Sequence, residues 1–229
     1  FSFSSLRPRG ALIASSGTIS SGPIPFMRVF DQATAALKEG GKGRGANMAV
    51  MRVDHPDILE FIHAKDVGYA LTNFNISVGV TDKFMDAVVE HADYELKHPS
   101  TKTVVGTLQA RYVWDSLITS AWRTGDPGIL FFGRINRDNP LLEGEFEMTS
   151  ACAEVPLFAH ESCVLGSINV GNFVTEKREF DWDRLRQTIH LAVRFLDNAV
   201  DVGNYPSPDL KEKALRYRRI GLGVMGFAD

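Results

Sequence analysis

The sequence predicts an α/β protein with a largely parallel β-sheet. Segments with the two-residue alternation of a strand are interleaved with segments whose apolar residues recur every three or four positions. This alternation of element types is typical of parallel strands joined by helices. No stretch has the composition of a linker, so we expect residues 1–229 to form one domain or part of one.

Composition and charge restrict the class of protein. Hydrophobic residues make up 44% of the chain and charged residues 23%, as in ordinary globular proteins. The net charge of -3 gives no reason to expect binding to nucleic acid or to anionic membranes. No apolar run approaches the roughly 18 residues that span a bilayer. Two cysteines do not make a secreted disulfide scaffold, so we expect a cytoplasmic protein without nucleic-acid or membrane partners.

The N-terminal part is predicted to contain a strand, a loop and a helix. "FSFSSL" alternates apolar residues with serine and predicts a strand at 1–6, whereas 7–23 is rich in Gly, Ser and Pro and predicts a long loop. Apolar residues at helical spacing predict a helix from Pro25 to Glu39. The glycine-rich loop "GGKGRGAN" follows at 40–47.

The middle and the end of the chain continue the alternation. Residues 93–106 are polar and give no clear signal, and 133–140 predict a turn-rich loop. Two short strands are expected within 149–170, and Asp181 is a candidate N-cap for the helix that follows. Further strands are predicted at 48–53, 72–80 and 128–132, and helices at 55–64, 82–92, 108–122, 182–200 and 208–217.

Both cysteines, Cys152 and Cys163, lie in the segment "TSACAEVPLFAHESCVLGSINV". Zinc sites use close ligand pairs, and His160 is the one other candidate ligand between the cysteines, which argues against a metal. A reducing compartment argues against a structural disulfide. Two interpretations remain: small buried hydrophobic residues, or chemistry.

Glu154 favours chemistry. It follows Cys152 by two residues, and positions i and i+2 of a strand share a face. A thiol and a carboxylate that point into one pocket can transfer a hydrogen atom and a proton. A carboxylate in an apolar strand would also be costly unless it is paired or used.

The cysteine segment resembles the active-site segment of ribonucleotide reductase large subunits. Their pattern is Asn-Pro-Cys-Gly-Glu, then Pro-Leu, then Glu-x-Cys-x-Leu-Gly-Ser-Ile-Asn-Leu. Other segments resemble the family in the same order, and are most similar to its adenosylcobalamin-dependent class II branch: "FSFSSLRPRG", "SSGPIPFMRVFD", "GGKGRGANMAVMRVDHPDILEFI", "TNFNISV" and "GILFFGRINRDNP". The resemblance covers nearly the whole chain. It implies part of the ten-stranded α/β barrel that ribonucleotide reductases share with glycyl-radical enzymes, within a longer protein that extends beyond both ends of 1–229.

The resemblance also implies roles for individual residues. Cys152 matches the cysteine that becomes a thiyl radical and takes the 3′ hydrogen of the ribose. Glu154 matches the group that acts on the 3′ hydroxyl proton, and Cys163 matches one of two thiols that reduce the substrate, the other lying upstream of Phe1. Ser150 stands where the family has a substrate-binding Asn. Two alanines stand beside Cys152 where Pro and Gly are usual.

Allosteric sites are implied as well. Arg7 matches a position that holds effector phosphate, and Ala14 and Ser15 match main-chain contacts to a deoxynucleoside triphosphate or ATP. The loop that passes effector identity to the substrate base is matched by Gly41, Lys42, Gly43, Arg44, Gly45, Ala46 and Asn47; many relatives have Arg at the position of Gly43. The helix Pro25–Glu39 matches a dimer interface. The six histidines have no motif support, and we expect them to be structural or surface residues.

The implied activity is reduction of ribonucleotides, as a vitamin B12-dependent ribonucleoside-diphosphate reductase. The implied partners are adenosylcobalamin with its cobalt, a ribonucleotide substrate, a nucleotide effector, an external dithiol such as thioredoxin, and a second copy of the chain. Two alternatives stay open. One is a class I large subunit, whose radical comes from a separate metal-containing subunit. The other is a catalytically dead nucleotide-binding regulatory module, for which Ser150 is the support.

Overall fold

The computed structural model describes residues 1–37, 45–66, 70–141 and 144–228. The chain divides into two compact units, Phe1–Phe158 and Ala159–Asp229. This boundary does not fall in a stretch of linker composition, and the expectation of a single domain over 1–229 stays a prediction. Across the described ranges, none of the helices combines the length and apolarity needed to cross a membrane.

The first unit begins with a short hairpin and a helix. Strands β1 (Leu12–Ile13) and β2 (Thr18–Ile19) pair antiparallel, within the segment for which the sequence predicted only a loop. Helix α1 spans Pro23–Ala36, two residues earlier at its start than predicted, because proline fits the first turn of a helix. The predicted end at Glu39 lies outside the described residues.

The predicted strand at 1–6 is wrong in extent. Ser2 forms only an isolated parallel bridge with Val50. The nitrogen of Phe3 donates to the carbonyl of Val50 at 2.8 Å, and the nitrogen of Val50 donates to the carbonyl of Phe1 at 2.9 Å. The main chain leaves this pairing after Phe3, so the segment is an edge contact and not a strand.

Strands and helices alternate through the rest of the first unit as the sequence predicted. Elements expected from periodicity are all present with bounds shifted by a few residues. The elements of this part of the unit, of which β5, β6 and α5 were not predicted, are β3 (Asn47–Arg52), α2 (Ile58–Ile62), β4 (Phe74–Val80), α3 (Asp82–Glu90), β5 (Asp93–Lys97), β6 (Val104–Gln109), α4 (Ala110–Thr124), β7 (Gly128–Phe131) and α5 (Phe132–Arg137).

A three-stranded parallel sheet in the order β3-β4-β7 forms the centre of this unit. Ala49 is paired with Ile76, and Val78 with Ile129. Residues of β3 and β4 are almost fully buried on both faces, as expected for parallel strands covered by helices. Side chains from α2, α3 and α4 complete the core, including Phe61, Phe84 and Leu117.

Two segments of this unit differ from the sequence predictions. Residues 93–106, which gave no clear signal, belong to the antiparallel pair β5–β6, in which Tyr94 and Leu96 point into the core. Residues 133–140 were predicted as a loop, but α5 runs from Phe132 to Arg137. Burial of Phe132 and two hydrogen bonds between the Asn136 side chain and the main chain of Phe146 stabilise this short helix against its poor local propensity.

The chain then forms a small hairpin and the second unit. Strands β8 (Met148–Thr149) and β9 (Pro156–Leu157) pair antiparallel. The second unit contains β10 (Val164–Asn169), a 3₁₀ turn, α6 (Trp182–Val202), α7 (Pro208–Tyr217) and β11 (Ile220–Met225). The N-cap prediction is confirmed, since the Asp181 carboxylate accepts a 2.9 Å bond from the nitrogen of Arg184. β11 pairs in parallel with β10.

The α/β class is confirmed, but the finer barrel prediction is not established by these strands. The described strands form one three-stranded sheet and four two-stranded sheets, and they do not close into a barrel. The two longest pairings, β3-β4-β7 and β10-β11, are parallel, whereas the three hairpins are antiparallel. The prediction of a largely parallel sheet therefore holds for the core strands alone.

Candidate active site

Cys152 lies at the apex of the β8–β9 hairpin, in the turn formed by residues 150–155, and is exposed. The expectation that Cys152 and Glu154 share a strand face is therefore wrong, because the residues between Thr149 and Pro156 leave the ladder to make the turn. The two short strands expected around the cysteine are present. They place the thiol on a turn, where it is accessible from outside the chain.

Ser150 closes this turn with its main chain and its side chain. Its nitrogen donates to the carbonyl of Val155 at 3.0 Å, and its Oγ accepts from the nitrogen of Val155, also at 3.0 Å. The carbonyl of Ser150 accepts from the nitrogen of Ala153 at 3.0 Å. Three hydrogen bonds therefore cross a turn of six residues, which restricts the positions that Cys152 can take.

Ala153 has a left-handed backbone conformation, with φ of 66°. This conformation costs an L-residue about 1–2 kcal/mol, whereas glycine adopts it readily. The finding gives a physical reason for the glycine that the ribonucleotide reductase pattern has at this position. The hydrogen bonds of Ser150 hold the alanine in this conformation.

Glu154 is exposed, and its carboxylate is surrounded by donors from the turn itself. The pKa of Glu154 is lowered, first by the hydrogen bond from the Ser150 hydroxyl and then by the main-chain N–H groups of Glu154 and Cys152. These donors stabilise the ionised form. Glu154 is therefore a carboxylate at neutral pH, and it can accept a proton from a group bound beside Cys152.

Asn75 holds the turn from outside the hairpin, and the sequence analysis did not identify it. Its side-chain Nδ2 donates to the carbonyl of Ala151 at 2.6 Å. The signal available in the sequence was the polar residue pair Asn73 and Asn75 at alternate positions of an otherwise apolar strand. Alternation placed both residues on one face but could not indicate what they contact.

Cys163 belongs to the second unit and directly precedes β10. Its thiol is partly buried, and both cysteines of the chain are in the reduced form. The nitrogen of Val164 donates to the carbonyl of Arg219 at 3.0 Å, so the start of β10 is fixed beside the start of β11. The joint action of Cys152 and Cys163 stays a prediction.

Arg7 lies on an exposed loop whose main chain is well held. The carbonyl of the preceding residue, Leu6, accepts a 2.9 Å bond from Nε2 of His55, and the carbonyl of Arg7 accepts a 3.2 Å bond from the hydroxyl of Ser20. The nearby Arg9 is engaged by Glu60 in an ion pair of two hydrogen bonds. Within the described part of the chain the guanidinium of Arg7 makes no such pair, so it is available to a ligand.

His55 is a buried support for this loop. Its Nδ1 accepts from the nitrogen of Asp57 at 3.0 Å, so the ring proton is on Nε2, which donates to Leu6. Burial lowers the pKa of His55, although the main-chain bond to Leu6 and the nearby carboxylates Asp57 and Asp54 oppose that effect. His55 is therefore neutral in the folded protein.

Ala14 and Ser15 lie together in the exposed turn between β1 and β2. The base of this hairpin is extended by bonds from the nitrogen of Gly10 to the carbonyl of Ser20 and from the nitrogen of Ser20 to the carbonyl of Ala11, both at 2.9 Å. Because Ser20 also binds the carbonyl of Arg7, the loop of Arg7 and the hairpin form one structural element.

Four of the seven residues predicted for the specificity loop, Gly41, Lys42, Gly43 and Arg44, lie outside the described residues. Gly45 and Ala46 lead directly into β3, which begins at Asn47. The side chain of Asn47 donates to Oγ1 of Thr34 on α1 at 2.8 Å, and its nitrogen donates to the carbonyl of Asn73 at 2.8 Å. The end of this loop is therefore anchored to α1 and to the residue before β4.

In the described ranges, no three or more His, Cys, Asp or Glu side chains are grouped so that they could hold a metal ion. The chemistry at the β8–β9 turn is that of an exposed thiol next to a hydrogen-bonded carboxylate. Such a pair can give up a hydrogen atom at sulfur and accept a proton at oxygen.

The chain is similar to known proteins over its whole length. A protein-family model described as "Ribonucleotide reductase, barrel domain" matches residues 1–229. The chain is 48% identical over 232 residues to a vitamin B12-dependent ribonucleoside-diphosphate reductase of Thermoplasma acidophilum, covering 100% of this chain and 30% of that protein.

Two further relatives carry similar names. A vitamin B12-dependent ribonucleoside-diphosphate reductase of Mycobacterium tuberculosis H37Rv is 46% identical over 231 residues, covering 100% of this chain and 33% of the relative. A vitamin B12-dependent ribonucleotide reductase of Streptomyces clavuligerus is 30% identical over 240 residues, covering 92% of this chain and 25% of the relative. The chain thus spans a third or less of the length of these curated relatives.

Proposed function

Because the chain belongs to the ribonucleotide reductase family, whose barrel domain it matches over residues 1–229, we propose that it is part of a ribonucleoside-diphosphate reductase. The whole protein would convert ribonucleotides to deoxyribonucleotides and so supply precursors of DNA. The single observation that carries this proposal is the β8–β9 turn, in which Cys152 stands exposed beside the ionised Glu154. The choice of diphosphates follows the names of the relatives from Thermoplasma acidophilum and Mycobacterium tuberculosis.

Cys152 would start the reaction as a thiyl radical. Its sulfur takes the hydrogen atom from C3′ of the ribose, so a C–H bond breaks, an S–H bond forms and the unpaired electron moves to C3′. The two bonds are similar in strength, so the transfer is reversible and Cys152 can return the hydrogen at the end of the turnover. A position on a turn suits this role, because the sulfur must approach a substrate atom closely.

Glu154 would accept the proton of the 3′ hydroxyl as the C3′ radical forms. Negative charge at the 3′ oxygen then eases departure of the 2′ hydroxyl, which leaves as water after it takes a proton. Glu154 is ionised before the reaction, as a proton acceptor must be, and the hydrogen bond from Ser150 favours that form. The role of Ser150 as a substrate ligand is also proposed, with its hydroxyl already shared between Val155 and Glu154.

Cys163 and a second thiol from another part of the protein would supply the reducing power. Together they give two electrons and two protons, hydrogen replaces the 2′ hydroxyl, water is released and the two sulfurs form a disulfide. An external dithiol, such as thioredoxin, would reduce that disulfide for the next turnover. We place the protein in the cytoplasm because its cysteines must be reduced between turnovers.

Adenosylcobalamin would supply the radical, through its cobalt–carbon bond. The sulfur of Cys152 would accept the radical, and it is accessible from outside the chain. We assign no residue of this chain to the binding of the corrin ring. The class I alternative, with a separate metal-containing subunit, would use the same Cys152 and Glu154.

Allosteric control is proposed at the β1–β2 hairpin. Arg7 would bind the phosphates of a deoxynucleoside triphosphate or ATP, because a guanidinium donates to phosphate through a planar pair of N–H groups. The turn of Ala14 and Ser15 would contribute main-chain contacts. Residues 41–47 would carry the identity of the effector to the substrate base, and the anchoring of Asn47 to α1 and to Asn73 supports such a path.

A homodimer through α1 is proposed from its exposed face. Ile24 and Met27 pack into the core, whereas Phe26 is 50% exposed and Val29 64% exposed. Phe30 and Ala33 continue this apolar stripe at helical spacing. A helix that is apolar on both sides is normally covered on both, and a second copy of α1 would cover the outer stripe.

A catalytically dead regulatory module remains the second candidate because Ser150 replaces the family's Asn.

The test is carried out on the full-length protein with adenosylcobalamin, a ribonucleoside diphosphate and a dithiol. Deoxyribonucleotide formation is expected. Cys152→Ser should abolish both product and exchange of the 3′ hydrogen, because a hydroxyl does not form a comparable radical. Cys163→Ser should leave 3′ exchange in place but stop reduction after the first step. Nucleotide binding without turnover in the wild-type protein would favour the regulatory module, and identical losses in both variants would contradict the separate roles.

A further inference from the structure

We propose that Asn75 is a positioning residue that holds the turn of Cys152 in place for hydrogen transfer. This inference rests on the proposed function, because it assigns Asn75 to the support of the radical cysteine. Asn75 belongs to β4 and precedes Ala151 by 76 residues, yet its Nδ2 lies 2.6 Å from the carbonyl oxygen of Ala151. That carbonyl belongs to the peptide that leads directly into Cys152.

The contact of Asn75 differs in kind from the other hydrogen bonds of the turn. The bonds from Ser150 to Val155 and Ala153 all join residues of the same hairpin. They fix the shape of the turn but not its position relative to the central sheet. The amide of Asn75 joins the apex of the turn to β4. β8 at the base of the hairpin also lies against β3, so Asn75 adds a restraint at the apex itself, next to Cys152.

The strand that carries Asn75 is itself firmly held at this point. The nitrogen of Asn73 donates to the buried carboxylate of Asp31 on α1 at 2.9 Å, and its side chain donates to the carbonyl of Asp31 at 3.1 Å. The nitrogen of Ile76 donates to the carboxylate of Asp126 at 3.2 Å. Fixed residues on both sides hold the main chain of Asn75 in place, so its amide donates from a fixed point of the sheet.

Asn75 is also suited to substitution, because its side chain is exposed, whereas its neighbours Phe74 and Ile76 are each 1% exposed. A change at Asn75 therefore leaves the core intact and removes one hydrogen bond. Hydrogen transfer requires the donor and acceptor atoms in near contact, and a misplacement of about 1 Å can reduce the rate about a hundredfold. Loss of the bond should therefore slow the hydrogen transfer without weakening substrate binding.

The experiment compares three variants of the full-length protein. Asn75→Asp has the same shape but presents an acceptor in place of the donor, so it repels the carbonyl of Ala151. Asn75→Gln keeps the amide on a longer side chain. Asn139→Asp is the matched control, because its Nδ2 also donates to a main-chain carbonyl, that of Gly144 at 3.2 Å, on an exposed loop.

We measure kcat, KM for the ribonucleoside diphosphate, and the isotope effect on kcat with 3′-deuterated substrate. Asn75→Asp is expected to lower kcat about ten- to a hundredfold, with KM within about twofold of wild type. The 3′ isotope effect should rise, because hydrogen transfer becomes the slow step, which a general loss of folded protein would not cause. Asn75→Gln should recover part of kcat, and Asn139→Asp should match wild type.

Each outcome decides between the claims. An active wild-type protein whose Asn75→Asp variant keeps its kcat and isotope effect overturns the role of Asn75 and leaves the proposed function standing. An equal fall for Asn139→Asp also overturns it, because the effect would not be specific to the turn. A wild-type protein that makes no deoxyribonucleotide overturns the proposed function, and the role of Asn75 with it.

Discussion

Oγ of Ser150 lies 3.0 Å from the main-chain nitrogen of Val155 and closes the turn that carries Cys152. The same hydroxyl donates its hydrogen to Glu154 and is the first cause of the lowered pKa of that carboxylate. One side chain therefore shapes the turn of the thiol and lowers the pKa of the proposed base. Substitution of Ser150 should therefore affect both the shape of the turn and the pKa of Glu154.

Ser150→Ala should move the acidic limb of the activity profile to higher pH. The hydrogen bond from Ser150 favours the ionised carboxylate, so its removal raises the pKa of Glu154 toward the ordinary value. The base is then protonated at a higher pH than in the wild type. The measurement is kcat/KM against pH in the full-length protein. Ser116→Ala, which removes a hydroxyl from the exposed face of α4, is the control. An unchanged limb would show that Glu154 is not the titrating base.

Ser150→Asn should be better tolerated than Ser150→Ala. An amide can accept from the nitrogen of Val155 and donate to Glu154, so both contacts of the hydroxyl can be kept. Restored hydrogen bonding is worth about 0.5–1.5 kcal/mol, or about two- to tenfold in rate if it acts in the transition state. Steady-state kinetics of the two variants side by side gives the ranking. A slower Ser150→Asn would mean that the turn has no room for the larger side chain.

Ala153→Gly should stabilise the chain, or leave its stability unchanged. Glycine removes the strain of a left-handed φ but adds freedom to the unfolded chain, so the gain in free energy of unfolding is at most about 1 kcal/mol. Ala151→Gly is the matched control, since Ala151 lacks a positive φ and should lose about 0.5–1 kcal/mol. Urea unfolding measures both. Equal destabilisation by the two changes would contradict the strain at Ala153.

Stability should fall as the pH drops through the ordinary range of histidine titration, partly because of His55. Burial lowers its folded pKa below that of the unfolded chain. The unfolded state therefore binds a proton first, from about pH 6.5 downward, and is favoured as the pH falls further. The contribution of His55 to stability is complete above that range.

The test of His55 is the slope of unfolding free energy between neutral and mildly acidic pH. His55→Gln keeps a donor for the carbonyl of Leu6 but cannot titrate, so the slope should be smaller than in the wild type. His190→Gln, on an exposed position of α6, should leave the slope unchanged. A wild-type slope in His55→Gln would exclude His55 as the source.

Val29→Asp should shift the full-length protein from dimer to monomer. The change places a charge in the middle of the exposed stripe of α1, where a partner helix would have to bury it. Light scattering at micromolar concentration measures the mass. Val89→Asp is the control, because Val89 is even more exposed, at 77%, but lies on α3. Dimers that persist in Val29→Asp would place the interface elsewhere.

The sequence predicted the elements whose own pattern decides their structure. The apolar runs of β3 and β4 and the helical spacing of α3, α4 and α6 are strong enough to be read locally. Helix α5 was missed because its support comes from Asn136 and Phe146, ten residues apart. Strand β11 was missed because its pairing with β10 is a long-range contact and two of its six residues are glycines, which are poor strand formers.

The candidate site also combines residues that a local pattern identifies with contacts that only the folded chain makes. Cys152, Glu154 and Ser150 could be named from the sequence, because they lie within five residues. Their arrangement could not, since a turn with a left-handed alanine has no periodic signal. Asn75 required the structure, because a contact over 76 residues leaves no local trace. The loops of Arg7 and His55 likewise meet only after the chain has folded.

The two-sided apolar character of α1 has a consequence for handling the protein. Val29 and Phe26 stay in water whenever the outer stripe is uncovered, and Leu37 just beyond the helix is 75% exposed. Such a surface lowers colloidal solubility and promotes adsorption to other apolar material. Expression yield, concentration limits and loss to vessel walls should therefore depend on whether that stripe is covered, independently of whether the β8–β9 turn is catalytically competent.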